Sequence, residues 1–88
     1  MKRIKWEPDG PRQYVAEFRE YGAGGQASYQ ATIRHCAGTG YELSIRYLFD
    51  EFTPPLSYPG YHEGHGATLE RCKRVAKKWA DDADMEAL

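Results

Sequence analysis

Tyr29, Ala31 and Ile33 alternate with Gln30, Thr32 and Arg34; a few residues on, Tyr41, Leu43, Ile45, Tyr47 and Phe49 alternate with Glu42, Ser44, Arg46 and Asp50. Only Leu48 breaks the polar side of the second run. A repeat of two marks a pleated strand with one buried face, so strands are predicted over about 28–36 and 41–50. Ala37-Gly38-Thr39-Gly40 between them is a hairpin signal. Parity limits the connection, because Ile33 faces the same way as Leu43 and Ile45 only if the loop has three or five residues, not four. A strand over about 12–20 precedes this pair, with Tyr14, Ala16 and Phe18 on one side and Glu17 and Arg19 on the other. Glycines at 22, 24 and 25 end it. A short extra strand at Ile4 to Trp6, turning through Pro8-Asp9-Gly10-Pro11, extends the sheet to four.

The repeat then changes. Leu69, Cys72, Ala76, Trp79 and Ala83 recur at spacings of three and four, with Val75 and Ala80 widening the stripe. That spacing predicts an amphipathic helix over about 68–84, with Thr68 as N-cap and Glu70 in the first turn. Burying Trp79 and Leu69 against the sheet should contribute about 2–3 kcal/mol each. Asp81, Asp82, Asp84 and Glu86 crowd the end of the helix where the macrodipole disfavours negative charge, which predicts fraying beyond about residue 83. Residues 51–66, with Pro54, Pro55, Pro59, Gly60, Gly64 and Gly66, read as one long loop carrying Tyr58 and Tyr61. The chain is therefore expected to be a single domain, 1–88. Its fold class is α+β: a two-layer β-β-β-α arrangement in which a three- to four-stranded antiparallel meander packs on one C-terminal helix.

Composition narrows the function. A chain of 88 residues cannot spare apolar side chains for a deep cavity. Hydrophobic residues at 41% suffice for a folded core, and a net charge of −1 argues against nucleic-acid binding by bulk charge. No apolar run follows Lys2 and Arg3, so no signal peptide is expected, and no stretch approaches a membrane span. Parity turns Cys36 away from the helix and Cys72 toward it, so two reduced thiols in the cytoplasm are expected rather than a bridge.

No catalytic motif is present: there is no nucleophile elbow, phosphate loop or paired-carboxylate signature. His62 and His65 flank Glu63, but a zinc site needs about four converging ligands, and His35, Cys36 and Cys72 lie elsewhere. The chain is thus read as no enzyme, with no cofactor and no metal. Arg71, Lys73, Arg74, Lys77 and Lys78 place five cations in eight positions opposite the apolar stripe, a ridge able to track phosphates. Against readout by the sheet, almost every strand aromatic falls on the helix-covered side, whereas single-strand binders stack bases on exposed rings. The outer sheet face carries Arg19, Arg34 and Arg46 among Glu17 and Glu42. Arginine and tyrosine are favoured anchors at protein interfaces. These arginines, Tyr58 and Tyr61, and the acidic residues Asp81, Asp82 and Asp84 are the expected protein contacts. Exposed edge strands offer a route to a homodimer.

Tyr29-x-Ala31-x-Ile33, Gly40-Tyr41-Glu42-Leu43-Ser44-Ile45, a proline-bearing loop and Gly66-x-Thr68-Leu69-Glu70 together resemble the N-terminal part of HicB-type antitoxins. The resemblance implies a partial, catalytically dead ribonuclease H-like layout that neutralises a small toxin by binding it. The chain departs from that pattern where the family has Pro-Asp-Leu-Pro-Gly, since Pro54-Pro55-Leu56 stands there, and it lacks the family's C-terminal DNA-binding domain. Gly64, Gly66 and the Lys/Arg run also resemble the last helix of double-stranded RNA-binding domains. In size and in its lack of catalytic motifs the chain is similar to small phage-encoded inhibitors of the anti-CRISPR type. The expectation is a non-enzymatic inhibitor or regulator of a protein partner, of phage or bacterial origin. The alternative is a nucleic-acid binder using residues 71–78.

Overall fold

A computed structural model describes residues 3–22, 24–36, 40–50, 56–58, 61–62, 65–66 and 68–88. Three eight-residue strands form the middle of the sheet: β2 (Gln13–Glu20), β3 (Tyr29–Cys36) and β4 (Gly40–Tyr47). They pair antiparallel in sequence order, and short strands extend them on both sides. β1 (Glu7–Pro8) and, after the helix, β8 (Met85–Ala87) share the outer edge of β2, while β5 (Leu56–Tyr58) lies along β4. β6 (Tyr61–His62) and β7 (His65–Gly66) form a separate two-stranded ribbon close to β4. One helix, α1 (Leu69–Asp82), crosses the inner face. The predicted α+β meander under a C-terminal helix is the observed architecture.

The register follows parity. Tyr14, Ile33 and Leu43 lie opposite one another in one row, Ala16, Ala31 and Ile45 in the next, and Phe18, Tyr29 and Tyr47 in a third. Cys36 pairs with Gly40, so three residues separate the partners, one of the two odd loop lengths that parity permits. Gly40 has φ +82°, a conformation that glycine adopts without the strain a Cβ would bring. Phe18, Ala31 and Ile33 are fully buried, and Leu43 and Ile45 nearly so.

Small residues govern how closely the helix approaches. Ala16 and Ala31 sit side by side at mid-sheet and share the core with Ala76 and Ala80 of α1. Larger rings close one end: Trp79 meets Phe18 edge-on with centroids 5.4 Å apart, and Tyr29 at 5.5 Å. Thr68 caps the helix, its Oγ1 accepting from the Arg71 amide at 3.1 Å.

Several expectations are corrected. The first short strand is Glu7–Pro8 rather than Ile4 to Trp6; Ile4 and Trp6 instead pack against the core as an irregular segment. The third predicted strand stops at Tyr47, and the chain bends at Leu48 and Phe49. Alternation no longer holds there, and Phe49 is 56% exposed rather than inward, its ring resting edge-on against Tyr47. The expected loop over 51–66 contains strands β5, β6 and β7, each too short to show a repeat. The chain does not fray beyond residue 83. Ala83 caps α1, Asp84 takes φ +53°, and β8 returns along β2 with Met85 and Ala87 buried. Backbone bonds anchor this return: the Tyr21 amide donates to the Asp84 carbonyl at 2.9 Å, and the Leu88 amide to the Glu17 carbonyl at 3.1 Å.

Candidate functional site

α1 covers one face of the sheet, and among the described residues the opposite face is open. Its side chains are those of the polar parity, and the register sets them in cross-strand rows. Gln13, Arg34 and Glu42 form one row, Val15, Thr32 and Ser44 the next, and Glu17, Gln30 and Arg46 the third. A hollow of about 410 Å³ on this face lies between Gln13, Gln30, Thr32, Arg34, Glu42, Ser44 and Arg46. Two glutamates and two arginines alternate across the rows, so the face is polar without one dominant sign.

The three predicted arginines differ in what they touch. Arg34 Nη2 donates to Glu42 Oε1 at 2.5 Å across the β3–β4 ladder, and this carboxylate raises the guanidinium further above its ordinary value. Arg46 is exposed and has no ion-pair partner among the described residues. Arg19 is half-buried; its Nε donates to Glu86 of β8 and its Nη1 to the Gly25 carbonyl at 2.6 Å. It therefore fastens β8 and the turn after β2, with two of its five N–H donors committed inside the protein.

The acidic group predicted as a contact is spread out by the fold. Asp81 and Asp82 are exposed but pair along the helix, Asp81 with Lys77 at 2.9 Å and Asp82 with Lys78 at 3.4 Å. Asp84 sits in the turn into β8 with its side chain exposed. The backbones of Tyr58 and Tyr61 belong to β5 and β6, and their side chains lie outside the described residues, as do those of His62 and His65.

The five cations of the helix occupy the arc opposite its buried stripe. Lys73, Arg74 and Lys77 line a hollow on one side of α1 and Lys78 lines another, with Arg71 an exposed neighbour of Arg74 at i,i+3. Lys73 also stands 5.9 Å from the centre of the Tyr14 ring. Alternation in the sequence itself places Gln30, Thr32 and Ser44 on this face beside the arginines, though not as named contacts, and Gln13 is the lining residue that sequence reasoning missed.

Cys36 and Cys72 are not joined by a disulfide; Cys72 is buried in the core, and that burial pushes its thiol up. Among the described residues no group of three or more His, Cys, Asp or Glu side chains is placed to hold a metal ion. No helix among the described residues is long and apolar enough to cross a membrane. No family model, no curated protein and no solved structure matches the chain.

Proposed function

We propose that this protein is a non-enzymatic binding module that docks on a protein partner through the open face of its sheet, as an inhibitor or regulator of phage or bacterial origin acting in the cytoplasm. The observation that carries this reading is the mixed-charge face built by Gln13, Gln30, Thr32, Arg34, Ser44 and Arg46, which no element of the fold covers among the described residues. The six strands of this sheet, three of eight residues and three of two or three, give this face a projected area of about 500 Å², smaller than the roughly 800 Å² per partner of a standard interface. Its charges alternate, which suits a protein surface of complementary pattern better than a polyanion. Arg46 is the anchor, exposed and without an ion-pair partner among the described residues; Arg34 and Glu42 present a preformed pair. The grammar shared with HicB-type antitoxins, modules that act by occupying a partner, supports the same reading.

Affinity capture from a bacterial or phage-infected lysate, followed by titration calorimetry with the purified partner, tests it. Wild type should retain a protein that Arg46→Glu loses, with affinity down at least about tenfold for the loss of a central arginine. Arg71→Glu, on the helix, should bind as wild type does. Retention of the same protein by both variants would reject the open face as the interface. The continuous basic ridge has less support, since Lys77 and Lys78 are each engaged by an aspartate one turn on.

A further inference from the structure

On the side of the molecule that carries the helix, the N-terminal segment runs beside one flank of α1 and leaves a cleft of about 460 Å³. Ile4 and Trp6 form its apolar wall, both half-buried against the core. Its cations come from two elements: Arg3 from the segment, and Lys73, Arg74 and Lys77 from the helix. The helical positions follow spacings of three and four, so their side chains converge on one side. Glu70 is the one carboxylate lining the cleft, and it lies 3.9 Å from Lys73. Arg3 and Arg74 are exposed and have no ion-pair partner among the described residues. With Lys73 near Glu70 and Lys77 paired to Asp81, Arg3 and Arg74 are the two cleft cations without a carboxylate partner among the described residues, and beside a tryptophan they repel one another unless an anion joins them.

We propose that this cleft binds a nucleotide, with the phosphate held by Arg3 and Arg74 and the base laid against Trp6. Guanidinium forks match phosphate oxygens bidentately, and an indole offers a flat surface on which any base can stack. The volume falls within the roughly 300–1,000 Å³ of small-ligand sites. An inorganic anion would use the cations and leave the indole idle, whereas a nucleotide uses both. The same chemistry is carried by a free mononucleotide and by one unit of a single strand. The cleft lies across the sheet from the open face, so this inference stands independently of the protein-docking reading.

Calorimetry and tryptophan fluorescence on the full chain test it, with adenosine monophosphate, a short oligothymidylate, inorganic phosphate and an oligoglutamate peptide as probes. Saturable binding of at least one nucleotide probe is expected, with inorganic phosphate weaker by at least about tenfold for lack of a ring to stack. Arg74→Glu and Arg3→Glu should each weaken the nucleotide at least about tenfold, while Arg71→Glu, which does not line the cleft, changes it less than about twofold. Glu70→Gln should tighten it. Saturation by the monophosphate assigns the site to free nucleotides; binding by the oligothymidylate alone assigns it to a strand. Equal losses in Arg71→Glu and Arg74→Glu would reduce the effect to bulk charge and overturn the site. So would oligoglutamate binding tighter than either nucleotide probe, or no saturable binding of either. Melting curves identify any variant that fails to fold, and because Arg74 and Arg3 are both exposed on separate elements, one of the two keeps the test open.

Discussion

Arg19, Arg34 and Arg46 share the outer face on three neighbouring strands, yet each has a different task. Arg19 bonds to Glu86 and to the Gly25 carbonyl and holds the edge of the sheet together. Arg34 is matched by Glu42, and Arg46 is the one of these three with no ion-pair partner among the described residues. Alternation put all three on the outer face; distinguishing them required knowing what lies beside them. The cysteines show the same contrast. Cys72 is 4% exposed and its thiol is raised by desolvation. Below the ordinary thiol range of about 8.5, both folded and unfolded chains keep this group protonated and it adds no pH dependence. Above that range the unfolded chain loses the proton while the folded chain retains it, so stability falls as pH rises toward the folded value. Denaturant melts between about pH 8 and pH 9.5 should therefore lose stability more steeply for wild type than for Cys72→Ala. A parallel pH slope in the two would contradict the burial argument. In the native state a thiol reagent should modify Cys36, which is half-buried, well before Cys72.

Among the elements, length decides what can be read in advance. Strands of eight residues give four alternations each, enough to separate a pleat from chance, and the helix gives four turns of stripe. β8 has three residues and β5 has three, so neither shows a period of its own. What makes β8 a strand is tertiary. An unpaired edge of β2 waits opposite Phe18 to Glu20, Asp84 turns the chain at φ +53°, and Met85 and Ala87 complete the core. The acidic residues that would fray an isolated helix are absorbed by this arrangement, as Asp81 and Asp82 pair with lysines one turn back and Glu86 with Arg19. A double-mutant cycle on Arg19→Ala and Glu86→Ala, read by chemical denaturation, should give a coupling of about 0.5–1 kcal/mol that shrinks with added salt. Arg19→Ala alone should cost more than Glu86→Ala, because it also releases the Gly25 carbonyl. Zero coupling would mean that backbone pairing alone holds β8 to the sheet.

For the whole molecule, one helix on one face of a sheet leaves two surfaces of opposite character: a mixed-charge hollow on the bare side and a cationic cleft on the helical side. The packed core between them gives neither surface a shared side chain, so their ligands should bind additively. Arg46→Glu should leave nucleotide affinity unchanged within about twofold, and Arg74→Glu should leave partner affinity unchanged within the same margin. Loss of both activities from either single change would point to one interface wrapped around an edge. The amino-acid order alone determined the two layers, the three long strands with their inward and outward faces, and the stripe that α1 buries. Those follow from local periodicity, which a chain carries in itself. Only the tertiary structure decided that the C-terminus closes the sheet edge, that Phe49 leaves the core, and that Arg3 and Trp6 meet Arg74. Each depends on residues far apart in the chain being brought together, or on a strand ending where its partner ends, and neither leaves a repeat to be read in the sequence.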